Sequence, residues 1–241
     1  MTEHMERPDL GSRYTEEERA CIRWIAEQGG VQFEQVQQVL ARLSPNPEKL
    51  ANPNQLSVQR TRKKKDRWRD DHLISYKIFE AQAKGVLWAT RLGLEFVGLG
   101  NLRYYEPTLG SLRHLHFVNQ ARLYIEQQRP EDTWKSERLI RFEQPAFVTG
   151  KKVPHIPDAV LQKPNGETIA AIEVELSLKK RERILAILKE LTHTYHRVWY
   201  FVARPAWATV EAALALLFWQ QRKRVQMLSV EEKLQEKGAS L

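Results

Sequence analysis

Residues 155–180 read HIPDAVLQKPNGETIAAIEVELSLKK, and the fold of the second half of the chain turns on this stretch. Two short apolar runs, Ile156 to Leu161 and Thr168 to Leu176, flank Pro164-Asn165-Gly166, a turn signal of the hairpin kind. Side chains alternate along a strand, so Glu173 and Glu175 emerge on one face and Ile172 and Val174 on the other. Pairing across the turn carries Asp158 toward Glu173. Carboxylates within an apolar strand are costly unless they bind something. Three around one hollow raise one another's pKa unless a cation joins them, and an oxygen-rich set of this kind suits Mg²⁺ or Mn²⁺ rather than zinc. The bland alternative is a surface-facing acidic strand; the apolar neighbours Ala170, Ala171 and Ile172 speak against it.

Working outward, Ser111 caps a helix through Gln128, and strands are expected at Leu139–Phe142, Ile156–Leu161 and Thr168–Leu176. A helix from about Lys179 to Thr192 follows, then a strand Val198–Val202, a helix Trp207–Arg222 and a last strand Val225–Val230. The order α-β-β-β-α-β-α-β mixes a hairpin with crossovers, hence a mixed sheet flanked by helices. His114 and His116 lie two positions apart and face different sides of their helix, so a structural or solvent-exposed role is expected. Glu137, just ahead of the first expected strand, reads as a solvated glutamate.

The first half is organised differently. Residues 1–14 are polar and unpatterned, a flexible tail. Thr15 to Glu18 is a capping box opening a helix that stops at Gly29-Gly30, and Phe33 to Leu43 forms a second. The third, about Ser57 to Asp71, sets Val58, Thr61, the Lys65 stem and Trp68 on a packing face, with Arg60, Arg62, Lys63, Lys64 and Arg67 around the remainder. Strand-like runs Leu73–Phe79 and Val86–Ala89 follow, joined by a loop holding Lys84, and then a brief helix from Thr90 to Val97. Three helices and a two-stranded wing over residues 15–100 form the pattern of a winged helix-turn-helix, in which the third helix enters the major groove and the wing touches the backbone. The basic residues of that helix, with Lys84, are the expected DNA contacts; a solvated basic face is the plain alternative. A linker at 101–110 leads to the second domain, 111–241.

The composition agrees with a nucleic-acid partner. Lys and Arg number 38 against 30 Asp and Glu, a formal charge of +8. No apolar run approaches the roughly 20 residues that span a bilayer, and MTEHMERPDLG lacks a signal-peptide core, so a soluble cytoplasmic protein is expected. A membrane-docking role lacks its amphipathic helix. The lone Cys21 falls on a helical apolar face and reads as a buried structural thiol. With no Gly-rich phosphate loop, no organic cofactor is expected.

Pro157-Asp158, a gap of fourteen residues and Glu173-Val174-Glu175, within an α-β-β-β-α-β frame, resemble the PD-(D/E)xK nuclease superfamily. The resemblance implies an α/β domain (α+β for the whole chain) of restriction-endonuclease-like type, with Asp158 and Glu173 as ligands of Mg²⁺ or Mn²⁺. Glu175 stands where the superfamily usually has its catalytic Lys, a variation some restriction endonucleases tolerate; Lys179 or Lys180 at the start of the next helix offers a migrated lysine. More narrowly, residues 15–230 resemble the replication-relaxation family of plasmids and other mobile elements, in which a winged helix precedes a nuclease-like domain with an Ile-Pro-Asp-Ala segment. That implies DNA binding in replication or mobilisation. The expected function is a Mg²⁺-dependent DNA endonuclease or nicking factor, with Asp158 and Glu173 on the metal and Lys179 or Glu175 orienting the water. The alternative is a non-enzymatic DNA-binding accessory protein or transcriptional repressor with a degenerate nuclease domain. A homodimer or mobile-element replication or transposition proteins are the expected protein partners.

Overall fold

Residues 12–46, 48, 50–52, 54–80, 84–143 and 154–234 are described by a computed structural model. The chain divides into two compact units, Met1–Gly110 and Ser111–Leu241.

In the first unit, Thr15 starts helix α1 (Glu16–Gln28) through a reciprocal capping box. Its hydroxyl accepts from the Glu18 N–H at 3.4 Å, and the Glu18 carboxylate accepts from the Thr15 N–H at 3.3 Å. Gly29, at φ 80°, closes the helix in the left-handed conformation. Strand β1 (Val31–Gln32), helix α2 (Phe33–Arg42), helix α3 (Val58–Asp70), strands β2 (Ile74–Lys77) and β3 (Val86–Ala89), and helix α4 (Arg91–Phe96) follow. The strands form an antiparallel sheet in the order β1-β3-β2, with Val31 opposite Leu87 and Tyr76 on its other side.

Strand β1 was not expected, because two residues carry no readable period. Trp68, Thr61 and Lys65 pack α3 inward, but Val58 is 51% exposed and does not share that face. The expected tail also ends sooner. Tyr14 is buried and its hydroxyl donates to Asp71, while the expectation for residues 1–11 falls outside the described residues. Cys21 is fully buried beside Ile22 and Ile25, and burial pushes its thiol pKa far up. At Gly93 a Cβ would stand 1.9 Å from the Leu73 carbonyl oxygen, so only glycine lets α4 cross there.

The second unit opens with helix α5 (Leu109–Gln128), which begins two residues before the expected Ser111. Strand β4 (Thr133–Ser136), helix α6 (Glu137–Glu143), strands β5 (Ala159–Gln162) and β6 (Thr168–Glu175), helix α7 (Arg181–Thr194), strand β7 (Val198–Val202), helices α8 (Arg204–Ala215) and α9 (Trp219–Arg222), strand β8 (Val225–Ser229) and helix α10 (Val230–Lys233) complete it. The first expected strand is therefore misplaced. Leu139–Phe142 is helical, held by the i,i+4 pair Glu137–Arg141, and Thr133–Ser136 is the strand. A short apolar run does not distinguish the two conformations. The single helix expected over Trp207–Arg222 is broken into α8 and α9.

The sheet order is β4-β5-β6-β7-β8, antiparallel through β6 and parallel from β6 onward. Ile172 and Val174 of β6 pack with Phe117, Ala121 and Ile125 of α5 on one face. On the other, Ala171, Tyr200 and Val202 pack against Ile184, Leu188 and Leu191 of α7 and Ala206 and Val210 of α8. Both crossover helices thus cover one face, as two successive crossovers of the same hand require. Glu173 and Glu175 alternate with Ile172 and Val174 and belong to that crossover side.

Candidate functional site

The hairpin places the carboxylates. Ala159 pairs with Ile172, so Asp158, one residue earlier, reaches the level of Glu173. There its Oδ2 accepts the Val174 N–H at 2.8 Å, and its own carbonyl accepts the Glu137 N–H at 2.8 Å. Asp158 therefore closes the gap in the ladder where β5 has ended.

Each carboxylate is gripped from a different direction. His114 of α5 sets Nε2 2.8 Å from Asp158 Oδ1, and His155 sets Nε2 3.0 Å from Glu173 Oε1. The His155 N–H in turn donates to Glu190 of α7 at 2.7 Å. Glu175 Oε2 meets Lys179 Nζ at 2.6 Å, and its Oε1 accepts the Ser177 N–H at 3.3 Å. So Asp158 and Glu173 come together, Lys179 reaches the acidic strand, and Glu175 faces that lysine. His114 is half-exposed and bonded to Asp158, a partner that its sequence position did not reveal. Two apart on a helix, His114 and His116 do diverge, and that spacing said nothing of a distant partner. His155 was passed over because its partner lies eighteen residues on, across the turn.

Burial makes this cluster electrostatically tense. Glu173 is 6% exposed and Glu175 2%. Desolvation pushes the Glu173 pKa up and the Asp158 charge adds to it, while His155 and Lys179 pull it back, leaving it at about 7. For His114 burial alone disfavours the cation, but the bond to Asp158 overcomes it and raises the pKa to about 8. His155 is shifted the same way, burial being outweighed by Glu173. Tyr200, directly beside Glu173 on β7, is fully buried, and burial together with the three carboxylates raises its phenol strongly. Among the described residues the Tyr200 hydroxyl and Glu173 Oε2 have no hydrogen-bond partner.

An unpartnered buried carboxylate oxygen beside a second carboxylate is chemistry that a hard cation satisfies. Mg²⁺ commonly takes one or two protein carboxylates and fills its shell with water or phosphate. Among the described residues no group of three or more His, Cys, Asp or Glu side chains is placed to hold a metal ion. The donor set, Asp158 and Glu173, fits the open type of site.

No family model, curated protein or solved structure matches this chain.

The basic helix of the first unit is divided by its contacts. Arg60, Arg62 and Lys63 are exposed and, among the described residues, make no ion pair. Lys64 instead lies 3.1 Å from Glu18, and Arg67 also binds that carboxylate, which Trp68 Nε1 approaches at 3.2 Å. Burial opposes the Glu18 charge, but Lys64 and Arg67 prevail and hold its pKa below the usual carboxylate range. Two of the expected DNA contacts are thus engaged in joining α3 to α1. Lys84, beyond β2, is exposed and stands 4.0 Å from Glu34. No helix among the described residues is long and apolar enough to cross a membrane.

Proposed function

We propose that this chain is a DNA-binding protein whose second unit is a metal-dependent phosphodiester-cleaving site, a nuclease or nicking factor of the PD-(D/E)xK kind. The observation that carries it is the meeting of Asp158 with Glu173 through the Val174 N–H, with the Lys179 ammonium brought to the same strand. In the first unit, the helix order and the sheet order β1-β3-β2 support a winged helix-turn-helix, with exposed Arg60, Arg62 and Lys63 as phosphate or base contacts.

Asp158 and Glu173 would hold Mg²⁺ or Mn²⁺, which when bound polarises the phosphate and lowers the pKa of a bound water. The chain's own part is positional. Val174 N–H fixes the Asp158 carboxylate, Tyr200 and Ala171 shut the strand side against solvent, and Lys179 supplies positive charge from the α7 side. The two acids lie toward the carboxyl end of β6, beside its parallel neighbour β7.

One observation favours the second reading, a DNA-binding replication accessory or repressor with a silent site. Lys179 is already neutralised by Glu175, and a histidine occupies one oxygen of each metal-facing carboxylate. Supercoiled plasmid incubated with Mg²⁺ or Mn²⁺ separates the two. Nicking by the wild type that Asp158→Asn abolishes, with duplex affinity retained, supports the nuclease. No nicking by the wild type, or equal nicking by both, leaves the accessory role.

A further inference from the structure

The amino ends of β7 and β8 carry a patch that neither the carboxylates nor α3 accounts for. Phe218 is 79% exposed and Trp219 is 64% exposed, consecutive residues at the start of α9. Large aromatic side chains left this open on a folded domain mark a contact surface. Their surroundings are cationic. From Ala212 to Val230 the chain has no acidic residue, and Arg222, Lys223 and Arg224 fall within it. The Lys223 ammonium sits 4.6 Å over the Trp219 ring, leaving its opposite face uncovered by that contact. Arg224 is tied to the sheet by its guanidinium bond to the Thr192 carbonyl at 2.9 Å, and its carbonyl accepts the Val198 N–H at 2.8 Å. The latter bond sets exposed Arg197 next to the same edge.

We infer that α9 and the turn after it form a stacking platform for single-stranded nucleic acid, with Trp219 and Phe218 taking unpaired bases and Arg222, Lys223 and Arg197 the phosphates. Aromatic faces interleaved with cations are the recurrent means of holding a single strand without reading its sequence. A duplex keeps its base faces stacked on one another and offers these rings nothing. A second copy of the chain is a poor occupant, since an isologous contact would bring three cations from each copy together. A membrane surface is a poor one too: α9 is four residues long and presents no extended amphipathic face. The platform lies at the end of β7 opposite the carboxylates, so it goes beyond the cleavage reading and does not depend on it.

The test uses the full chain and a fluorescein-labelled oligothymidylate of about fifteen nucleotides, a length within the usual single-strand site sizes, read by anisotropy at several salt concentrations. Trp219→Leu, which keeps apolar area but loses the ring, is expected to weaken binding roughly tenfold or more. Trp219→Phe should keep most of the affinity, and Arg222→Gln with Lys223→Gln should flatten the salt dependence. Binding to a blunt duplex should be the same in Trp219→Leu and wild type. Equal oligothymidylate affinity in Trp219→Leu and wild type would overturn the inference. So would a Trp219-dependent shift in sedimentation, which makes the patch a protein interface, or Trp219-dependent binding to anionic vesicles without any to the oligonucleotide.

Discussion

The Glu18 carboxylate, 1% exposed, lies 3.1 Å from the Lys64 ammonium and ties α1 to α3. The same two helices set the angle at which exposed Arg60 and Lys63 leave the surface, so a structural ion pair and the proposed DNA contacts share one helix. Replacing Glu18 by Gln strands Lys64 and Arg67, both partly solvated, without their counter-charge. A loss of about 1–3 kcal/mol is expected, below the range for fully buried pairs. Urea denaturation gives the value; an unchanged midpoint would show that the pair contributes nothing.

Acid should remove the same contribution. The folded pKa of Glu18 is depressed relative to an unfolded value of about 4.3. The stabilisation is therefore fully present above that value and is lost as pH falls through the lower, folded one, because the unfolded chain binds the proton first. As pH falls below about 4.3 the wild type should lose stability more steeply than Glu18→Gln. Parallel slopes in that window would place the acid sensitivity elsewhere.

The division of α3 into exposed and engaged cations makes a prediction about salt. Each lost phosphate contact reduces the slope of log affinity against log salt by about 0.9. Arg60→Ala, Arg62→Ala and Lys63→Ala should each show this loss with little change in stability. Lys64→Ala should instead destabilise the fold, with a smaller effect on slope. Affinities and slopes unchanged from the wild type in all four variants would remove α3 from the interface.

Asp158 has a structural task besides any chemistry. Asp158→Ala leaves the Val174 N–H without its acceptor, at a cost of about 1–3 kcal/mol. Asp158→Asn retains an acceptor oxygen and should be the milder of the two in thermal denaturation. If Asn and Ala lower Tm equally, the bond to Val174 does not support β6.

The unpartnered Tyr200 hydroxyl gives a contrast of opposite sign. Tyr200→Phe removes a buried polar group that has no partner among the described residues, and should be neutral or stabilising. Tyr200→Ala should cost about 3–5 kcal/mol by opening a cavity. A clear destabilisation by Phe would reveal a water or ion bonded to that hydroxyl.

Much of the site was readable because it is local. The Asn165-Gly166 turn and strict alternation along β6 put Asp158 and Glu173 together and Glu175 on the same side, while Lys179, four residues past the end of β6, returns to Glu175 through a non-helical segment. Contacts that depend on distant elements were not readable. His114 reaches Asp158 across 44 positions and Lys64 reaches Glu18 across 46, and nothing in either neighbourhood encodes the partner. The error at Leu139–Phe142 has another origin. Four apolar-rich residues satisfy both periods, and tertiary packing of Trp134 in the core gave the strand to the preceding segment.

Strand β6 belongs to two kinds of ladder, antiparallel to β5 and parallel to β7. On its β5 side the partner arrives by a tight turn; on its β7 side it arrives only after a whole helix has been laid down. Closure of a hairpin takes microseconds, whereas pairing across a crossover waits on a longer loop. A hairpin that closed first would bring Asp158 and Glu173 together before Tyr200 and α7 covered them. In that order the two acids would meet while still in water, where mutual repulsion is weak, and would be desolvated only on docking of β7 and α7. Completing the sheet would then carry an electrostatic cost, and a cation on the acid pair would act on the speed of folding as well as on the finished protein.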